Sequence, residues 1–170
     1  MIDSTYFVSP IDIPNLTTEI GGVTDTSNLA ALTRAISIYQ AEFMRLLLGD
    51  LYPDFVSDKD GKWDDLKAKL VDSDLKVSPI ANYVFFKYYP QLTTPNTGVG
   101  VAYNKTENQG IDNRKRLTDV WNDMVLYLER YDGVMDYLYD NRADLETNVS
   151  LPDYLFFPYK DSPFRPISLL

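Results

Sequence analysis

The stretch Ser78-Pro79-Ile80-Ala81-Asn82-Tyr83-Val84-Phe85-Phe86-Lys87-Tyr88-Tyr89-Pro90 sets the tightest limit on what this chain can fold into. Serine followed by proline is a helix start, since Pro at the first helical position lacks an N–H that would be unpaired there anyway, and Pro90 reads as the stop. The spacing predicts a helix over residues 80–89, and Tyr83, Phe85, Phe86, Tyr88 and Tyr89 spread aromatic surface around it. A helix apolar nearly all round must be covered on every side, either in the centre of its own core or against a neighbouring subunit. Tyr83, Phe86 and Tyr89, with Trp121 from a later helix, are the candidates for packing between subunits.

Other segments supply the cover. Leu29, Leu32, Ile36, Tyr39, Phe43 and Leu46 recur at steps of three and four, which predicts an amphipathic helix capped at Ser27 and stopped at Gly49. After a turn around Pro53, the residues Trp63, Leu66 and Leu70 mark a shorter helix entered through Asp60-Gly61. Leu117, Trp121, Met124, Leu128, Tyr131, Met135 and Leu138 continue the same periodicity and predict one long helix from about Ile111, with Gly133 as a bend or close contact inside it. The fold class expected is mainly α: a bundle of about four helices with a long C-terminal helix and a protruding loop between helices 3 and 4.

Three segments fall outside this pattern. Residues 1–26 carry Pro10, Pro14 and Gly21-Gly22 and read as an extended N-terminal arm. Residues 90–110 form a long polar connection with Val99, Val101 and Tyr103 alternating, and long loops inside compact domains usually have a function. Residues 141–170 read as a C-terminal arm; beyond Leu151 they combine four prolines with Tyr154, Phe156, Phe157 and Phe164, too broken for a helix and too sticky for a solvated tail. Residues 27–140 are then the helical domain.

Composition narrows the chemistry. The 170 residues contain no Cys and no His, which removes thiol nucleophiles, imidazole bases, Ser-His-Asp triads, disulfides and the usual zinc ligand sets. A net charge of −9 repels nucleic-acid phosphates and anionic lipid, and the basic cluster Arg114-Lys115-Arg116 reads as a solvated helix face. No segment has the apolar length of a membrane span, and Met1-Ile2-Asp3-Ser4 does not open a signal peptide, so the expectation is a soluble, non-exported chain in which the sequons at Asn15, Asn104 and Asn148 are idle. In Asp58-Lys59-Asp60-Gly61, aligning Gly61 with the sixth position of a calcium loop puts Val56 at the first and Lys67 at the twelfth, where ligands are required. A turn leading into a helix is the better reading. Gly98-Val99-Gly100 lacks the third glycine and the lysine of a phosphate loop, and the pairs Asp64/Asp65, Asp72/Asp74 and Asp119/Asp123 fall on expected solvent faces. No catalytic residue, metal ligand or cofactor is expected, and the chain is read as no enzyme.

Residues 78–89, followed by Thr94-Pro95-Asn96-Thr97-Gly98-Val99-Gly100 and then Leu117-Thr118-Asp119-Val120-Trp121-Asn122-Asp123-Met124, together resemble the small head–tail connector (adaptor) proteins of tailed bacteriophages. The likeness is greatest to those of phages of gut Bacteroidetes, including the crAss-like group. A first helix ending in Leu-Leu-Leu-Gly-Asp-Leu-Tyr at 46–52 fits the same order, and the resemblance spans roughly residues 27–140.

That resemblance implies a virion protein at the head–tail interface, assembled in the host cytoplasm as a homo-oligomeric, usually dodecameric, ring between the portal and the tail or a second neck ring. It implies portal contact for Tyr154, Phe156, Phe157, Phe164 and Arg165, and channel or next-ring contact for Gly98, Val99, Gly100, Val101, Tyr103 and Asn104. A ring carrying a twelvefold multiple of −9 lets genomic DNA pass without binding it specifically. Two other classes fit parts of the sequence. An acidic DNA mimic requires carboxylates in duplex-like rows and has no use for the aromatic tail; a small helical enzyme requires a pocket with two carboxylates of separated pKa.

Overall fold

A computed structural model describes residues 26–71, 77–92, 96–97, 100–101, 107–141 and 145. Its centre is the aromatic helix, here α4. The helices in chain order are α1 (Thr26–Leu48), α2 (Tyr52–Ser57), α3 (Asp64–Leu70), α4 (Pro79–Leu92), α5 (Glu107–Glu129) and α6 (Val134–Asp140). A short 3-10 turn, Gly49–Leu51, joins α1 to α2. The protein is a mainly α helical bundle in which α1, α4 and α5 are the long members.

Ser78 starts α4 as its chemistry requires, its Oγ accepting the Ala81 N–H at 3.3 Å and its carbonyl accepting the Asn82 N–H at 3.1 Å. Every residue from Ile80 to Phe85 is buried, and Tyr88 and Tyr89 continue the burial one turn on. α1 packs along one side of α4 and α5 along another. From α1, Phe43 meets Tyr83 with ring centroids 5.4 Å apart; from α5, Trp121 meets Phe86 at 4.7 Å. Each large apolar side chain buried this way contributes roughly 1.5–3 kcal/mol, so the two flanking helices hold α4 from either side by many such contacts.

A second layer extends the core. Leu51 of the 3-10 turn and Phe55 of α2 join the core, and Phe55 meets Trp63 edge-on at 5.6 Å, with Leu66 and Leu70 of α3 completing the cluster. Asn96–Thr97 and Gly100–Val101 form a two-residue antiparallel ladder, Asn96 opposite Val101 and Thr97 opposite Gly100. Among the described residues no helix is long and apolar enough to cross a membrane.

Several sequence expectations are corrected in detail. α1 begins at Thr26, so Ser27 lies inside it; Gly49 does stop it, with a φ of 54° in the left-handed region. The buried stripe of α1 runs through Leu32, Ile36, Gln40, Phe43 and Leu47, while Leu46 turns outward. Pro53 sits in the first turn of α2 rather than in a loop, where its missing N–H costs nothing. Pro90 does not stop α4, which continues to Leu92, although the proline removes the donor to the Phe86 carbonyl and its ring crowds that carbonyl. Together with the start of α5 at Glu107, this shortens the connection expected over 90–110.

The largest correction is the long last helix, which is two. α5 ends at Glu129 and α6 starts at Val134, because Asp132 takes a φ of 55° and Gly133 turns extended as the N-cap of α6. Lys69 of α3 fixes this turn by donating to the Asp132 carboxylate at 2.7 Å and to its carbonyl at 2.9 Å, while the Asp132 N–H donates to the Asp136 carboxylate at 2.8 Å. The break throws Tyr131, expected in the buried stripe, out to 96% exposure.

Gly133 is irreplaceable for a steric reason. A Cβ there would lie 2.5 Å from the Arg130 carbonyl oxygen and 3.0 Å from that of Leu128. Gly133→Ala is therefore expected to destabilise the chain by roughly 1–3 kcal/mol, as overpacking does. Thermal unfolding should show this as a Tm lower by several degrees, at about 2–4 °C per kcal/mol for a chain of this size. An unchanged Tm would mean that the turn relaxes freely.

Candidate functional site

Three side-chain clusters gather the polar chemistry of the described residues. The first is the Asp58 loop. Its carboxylate accepts the backbone N–H groups of Asp60 at 3.3 Å, Lys62 at 3.2 Å and Trp63 at 3.3 Å, and the Lys67 ammonium stands 2.9 Å from Oδ2. The Asp58 side chain is only 4% exposed. Lys67, which occupies the position where a calcium loop needs its last carboxylate, puts its own positive charge against the loop. The Lys67 hydrogen bond, with the backbone donors, holds the Asp58 carboxyl below the usual carboxylate range against the opposing effect of desolvation. Desolvation lowers the Lys67 pKa, but its bonds to Asp58 and Asp64 outweigh that and raise it. The carboxylate that looked like a ligand has no capacity left for an ion.

The second cluster bridges α1 and α4. Glu42 accepts both the Tyr83 hydroxyl at 2.8 Å and the Lys87 ammonium at 2.9 Å, and Lys87 lies over the rings of Tyr39 at 5.6 Å and Tyr83 at 5.7 Å. Burial raises the Glu42 pKa, yet the bonds from Lys87 and Tyr83 overcome it and leave the carboxyl below its ordinary value. Burial, then the Glu42 bond, pushes the Tyr83 hydroxyl far up, so it stays protonated and serves as a donor, not as a nucleophile or base. The third cluster is Arg116, whose guanidinium covers Phe85 at 5.2 Å and Tyr89 at 5.3 Å, the two rings stacked at 4.9 Å. Arg116 thus caps the aromatic core and departs from the solvated face expected of 114–116, while Lys115 is exposed as expected.

These clusters join helices; none converges on a reactive centre. Among the described residues no group of three or more acidic side chains is placed to hold a metal, and Asp64, Asp65, Asp119 and Asp123 are each exposed. Asp72 and Asp74 lie outside the described residues. Two buried polar atoms, Gln40 Oε1 and Trp63 Nε1, find no hydrogen-bond partner among the described residues.

The expected subunit-packing residues are used inside the chain. Tyr83, Tyr89 and Trp121 are buried in its own core, and Phe86 is half-buried against Trp121. The reason is geometric: α1 and α5 already cover the faces of α4 that a neighbour was expected to cover. Of the loop positions, Gly100 and Val101 pair with Asn96 and Thr97, whereas Gly98, Val99, Tyr103 and Asn104 lie outside the described residues, as do Tyr154, Phe156, Phe157, Phe164 and Arg165. Periodicity did not reveal the exposed apolar side chains: Ile38 at 49%, Leu126 at 66% and Tyr139 at 68% stand on the outer surfaces of α1, α5 and α6.

The two depressed carboxylates set a pH dependence. Such groups stabilise the fold above their unfolded-state pKa values, about 3.9 for Asp and 4.3 for Glu, and that contribution disappears as pH falls through the lower folded-state values. Tm is expected to hold from neutral pH to about pH 5 and to fall below it. Asp58→Asn should lower Tm at neutral pH, where Lys67 loses its partner, and flatten the acid limb in melts taken from pH 7 to 2.5. An acid limb as steep as that of the parent would show that Asp58 titrates normally.

No protein-family model, curated protein or solved structure matches this chain.

Proposed function

We propose that this chain is a structural virion protein of a tailed bacteriophage, forming a ring between the portal and the tail that completes the filled head and surrounds the path of the DNA. The observation that carries this reading is how the side chains are divided. Inward, the polar groups that would serve catalysis are spent on joining helices: Tyr83 and Lys87 on Glu42, and Lys67 on Asp58. Outward, the helices leave the large apolar side chains Ile38, Leu126 and Tyr139 exposed. A framework with its reactive groups tied up and its apolar side chains on show suits assembly better than turnover.

The sequence blocks that resemble head–tail connectors coincide with this framework. Residues 78–89 are the central helix and 117–124 the segment of α5 that covers it. The aromatic, proline-rich segment 151–170 supplies anchors that lose little conformational freedom on docking, which suits insertion into a portal groove. The negative charge of the chain keeps DNA from adhering while it passes.

The test is native mass measurement of the full-length chain, alone and mixed with the portal protein of the same phage. Formation of a ring or a portal complex is expected. Removing residues 151–170 is expected to abolish portal association while leaving the circular-dichroism helix signal essentially unchanged. A chain that ignores portal in both forms would overturn the reading, and loss of helicity on truncation would reassign the segment to its own core.

A further inference from the structure

The side of α1 turned away from α4 and the side of α5 turned away from α4 carry opposite charge in matching registers. Along the outside of α1 run Ala31, Arg34, Ile38, Ala41 and Arg45, spaced by three and four so that they share one stripe. Along the outside of α5 run Asp119, Asn122, Leu126 and Glu129, with Asp123 beside them and the cations Lys115 and Arg130 at the two ends of the stripe. Ile38 is 49% and Leu126 66% exposed, each standing between charges of one sign. Among the described residues neither Arg34 nor Arg45 has a carboxylate partner, and Arg45 lies over the ring of Tyr52 at 5.2 Å. Asp119, Asp123 and Glu129 have no cationic partner among them either. By contrast Lys62, Lys67, Lys69 and Lys87 are all paired.

The spacing fixes an orientation. At 1.5 Å per residue, Arg34 and Arg45 are about 16 Å apart along α1 and Asp119 and Glu129 about 15 Å apart along α5. Ile38 lies about 6 Å from Arg34 and about 10 Å from Arg45, while Leu126 lies about 4 Å from Glu129 and about 10 Å from Asp119. Running the helices antiparallel brings Arg34 to Glu129, Ile38 to Leu126 and Arg45 to Asp119 together. A parallel arrangement that pairs the charges leaves the two apolar side chains out of step by about a turn. Pairing the α1 face with itself sets arginine against arginine, and pairing the α5 face with itself matches Lys115 to Glu129 only by laying Asp119 beside Leu126 and leaving both arginines of α1 unmatched, which is disfavoured.

We propose that the outer face of α1 docks antiparallel on the outer face of α5 of a second copy of this chain. It rests on the assembly reading above in taking the second copy as partner, and adds the faces and their register. Because the two faces differ and lie on different helices flanking α4, the contact is head-to-tail: every copy uses both, and successive copies close into a ring or run on as a filament. The ion pairs set register and partner choice, and the apolar pair with its neighbouring alanines supplies the dry centre.

The absence of cysteine makes the test clean. Full-length Ile38→Cys and Leu126→Cys variants, mixed and mildly oxidised, are expected to give a cross-linked dimer that neither variant gives alone. Arg34→Glu is expected to weaken self-association, followed by native mass and dilution, at least about tenfold, and adding Glu129→Arg is expected to restore it. Circular dichroism of each variant verifies the fold. Cross-linking within each variant alone, or no rescue by the reversed pair, overturns the assigned register. A chain that stays monomeric at all concentrations overturns the contact itself. A ring of native mass without the 38–126 cross-link removes these faces and leaves the ring reading standing, whereas the cross-link in an open-ended series keeps the faces and removes the closed ring.

Discussion

Everything in this structure depends on covering α4. A helix whose residues Ile80 to Phe85 are all buried has no side to offer water, so it cannot exist before its neighbours are in place. This explains why α1 and α5 are the two longest helices among the described residues, at 23 residues each. Each must lay an apolar stripe along the 14 residues of α4 and still be polar enough outside to remain dissolved. The aromatic contacts of Phe43 with Tyr83 and Trp121 with Phe86 mark those two seams. Helix propensity alone would not hold a segment this rich in aromatics as a helix; burial does.

The polar interactions do a different task, which is to fix geometry that packing leaves open. The Asp58 carboxylate stops the backbone after α2 and starts α3 by gathering three N–H groups at once, and Lys67 compensates its burial. Lys69 reaches 63 residues along the chain to hold the turn at Asp132, a residue in a conformation that costs roughly 1–2 kcal/mol without such support. Gln40 shows the opposite case. It sits in the buried stripe of α1 with its Oε1 unpartnered among the described residues, so it subtracts from stability where its neighbours add to it.

Much of this was legible in the sequence, and the misses have physical causes. Steps of three and four located α1, α3 and the start of α5's buried face, while the Ser78-Pro79 start of α4 and the Gly49 stop were read from single residues, because such signals are local. The α5–α6 break was legible only as a bend or close contact at Gly133, since Tyr131, Met135 and Leu138 preserve the helical spacing across it. What ends α5 is a lysine from α3 and a carbonyl too close to Gly133 for any Cβ. The expected subunit contacts at Tyr83, Tyr89 and Trp121 failed for the same kind of reason. Apolar surface in excess of one stripe says that a helix needs cover, and not whether the cover comes from within the chain. The ion pairs of Lys67 and Lys69 could be found only once the loops were folded.

The same division between what binds and what orients applies outside the core. An exposed ion pair is worth about 0–1 kcal/mol, so charges on the outer faces of α1 and α5 cannot by themselves hold two copies together. Their effect is discrimination. A chain of net charge −9 repels its own copies in most orientations. The Debye length of about 8 Å at physiological salt confines that repulsion to near contact, so the decision is made by the groups that meet. With Arg34 and Arg45 on one face and Asp119 and Glu129 on the other, unlike faces meet with every one of these charges matched. Against an acidic excess, the two arginines of α1 are what give one orientation of a second copy an advantage over the rest.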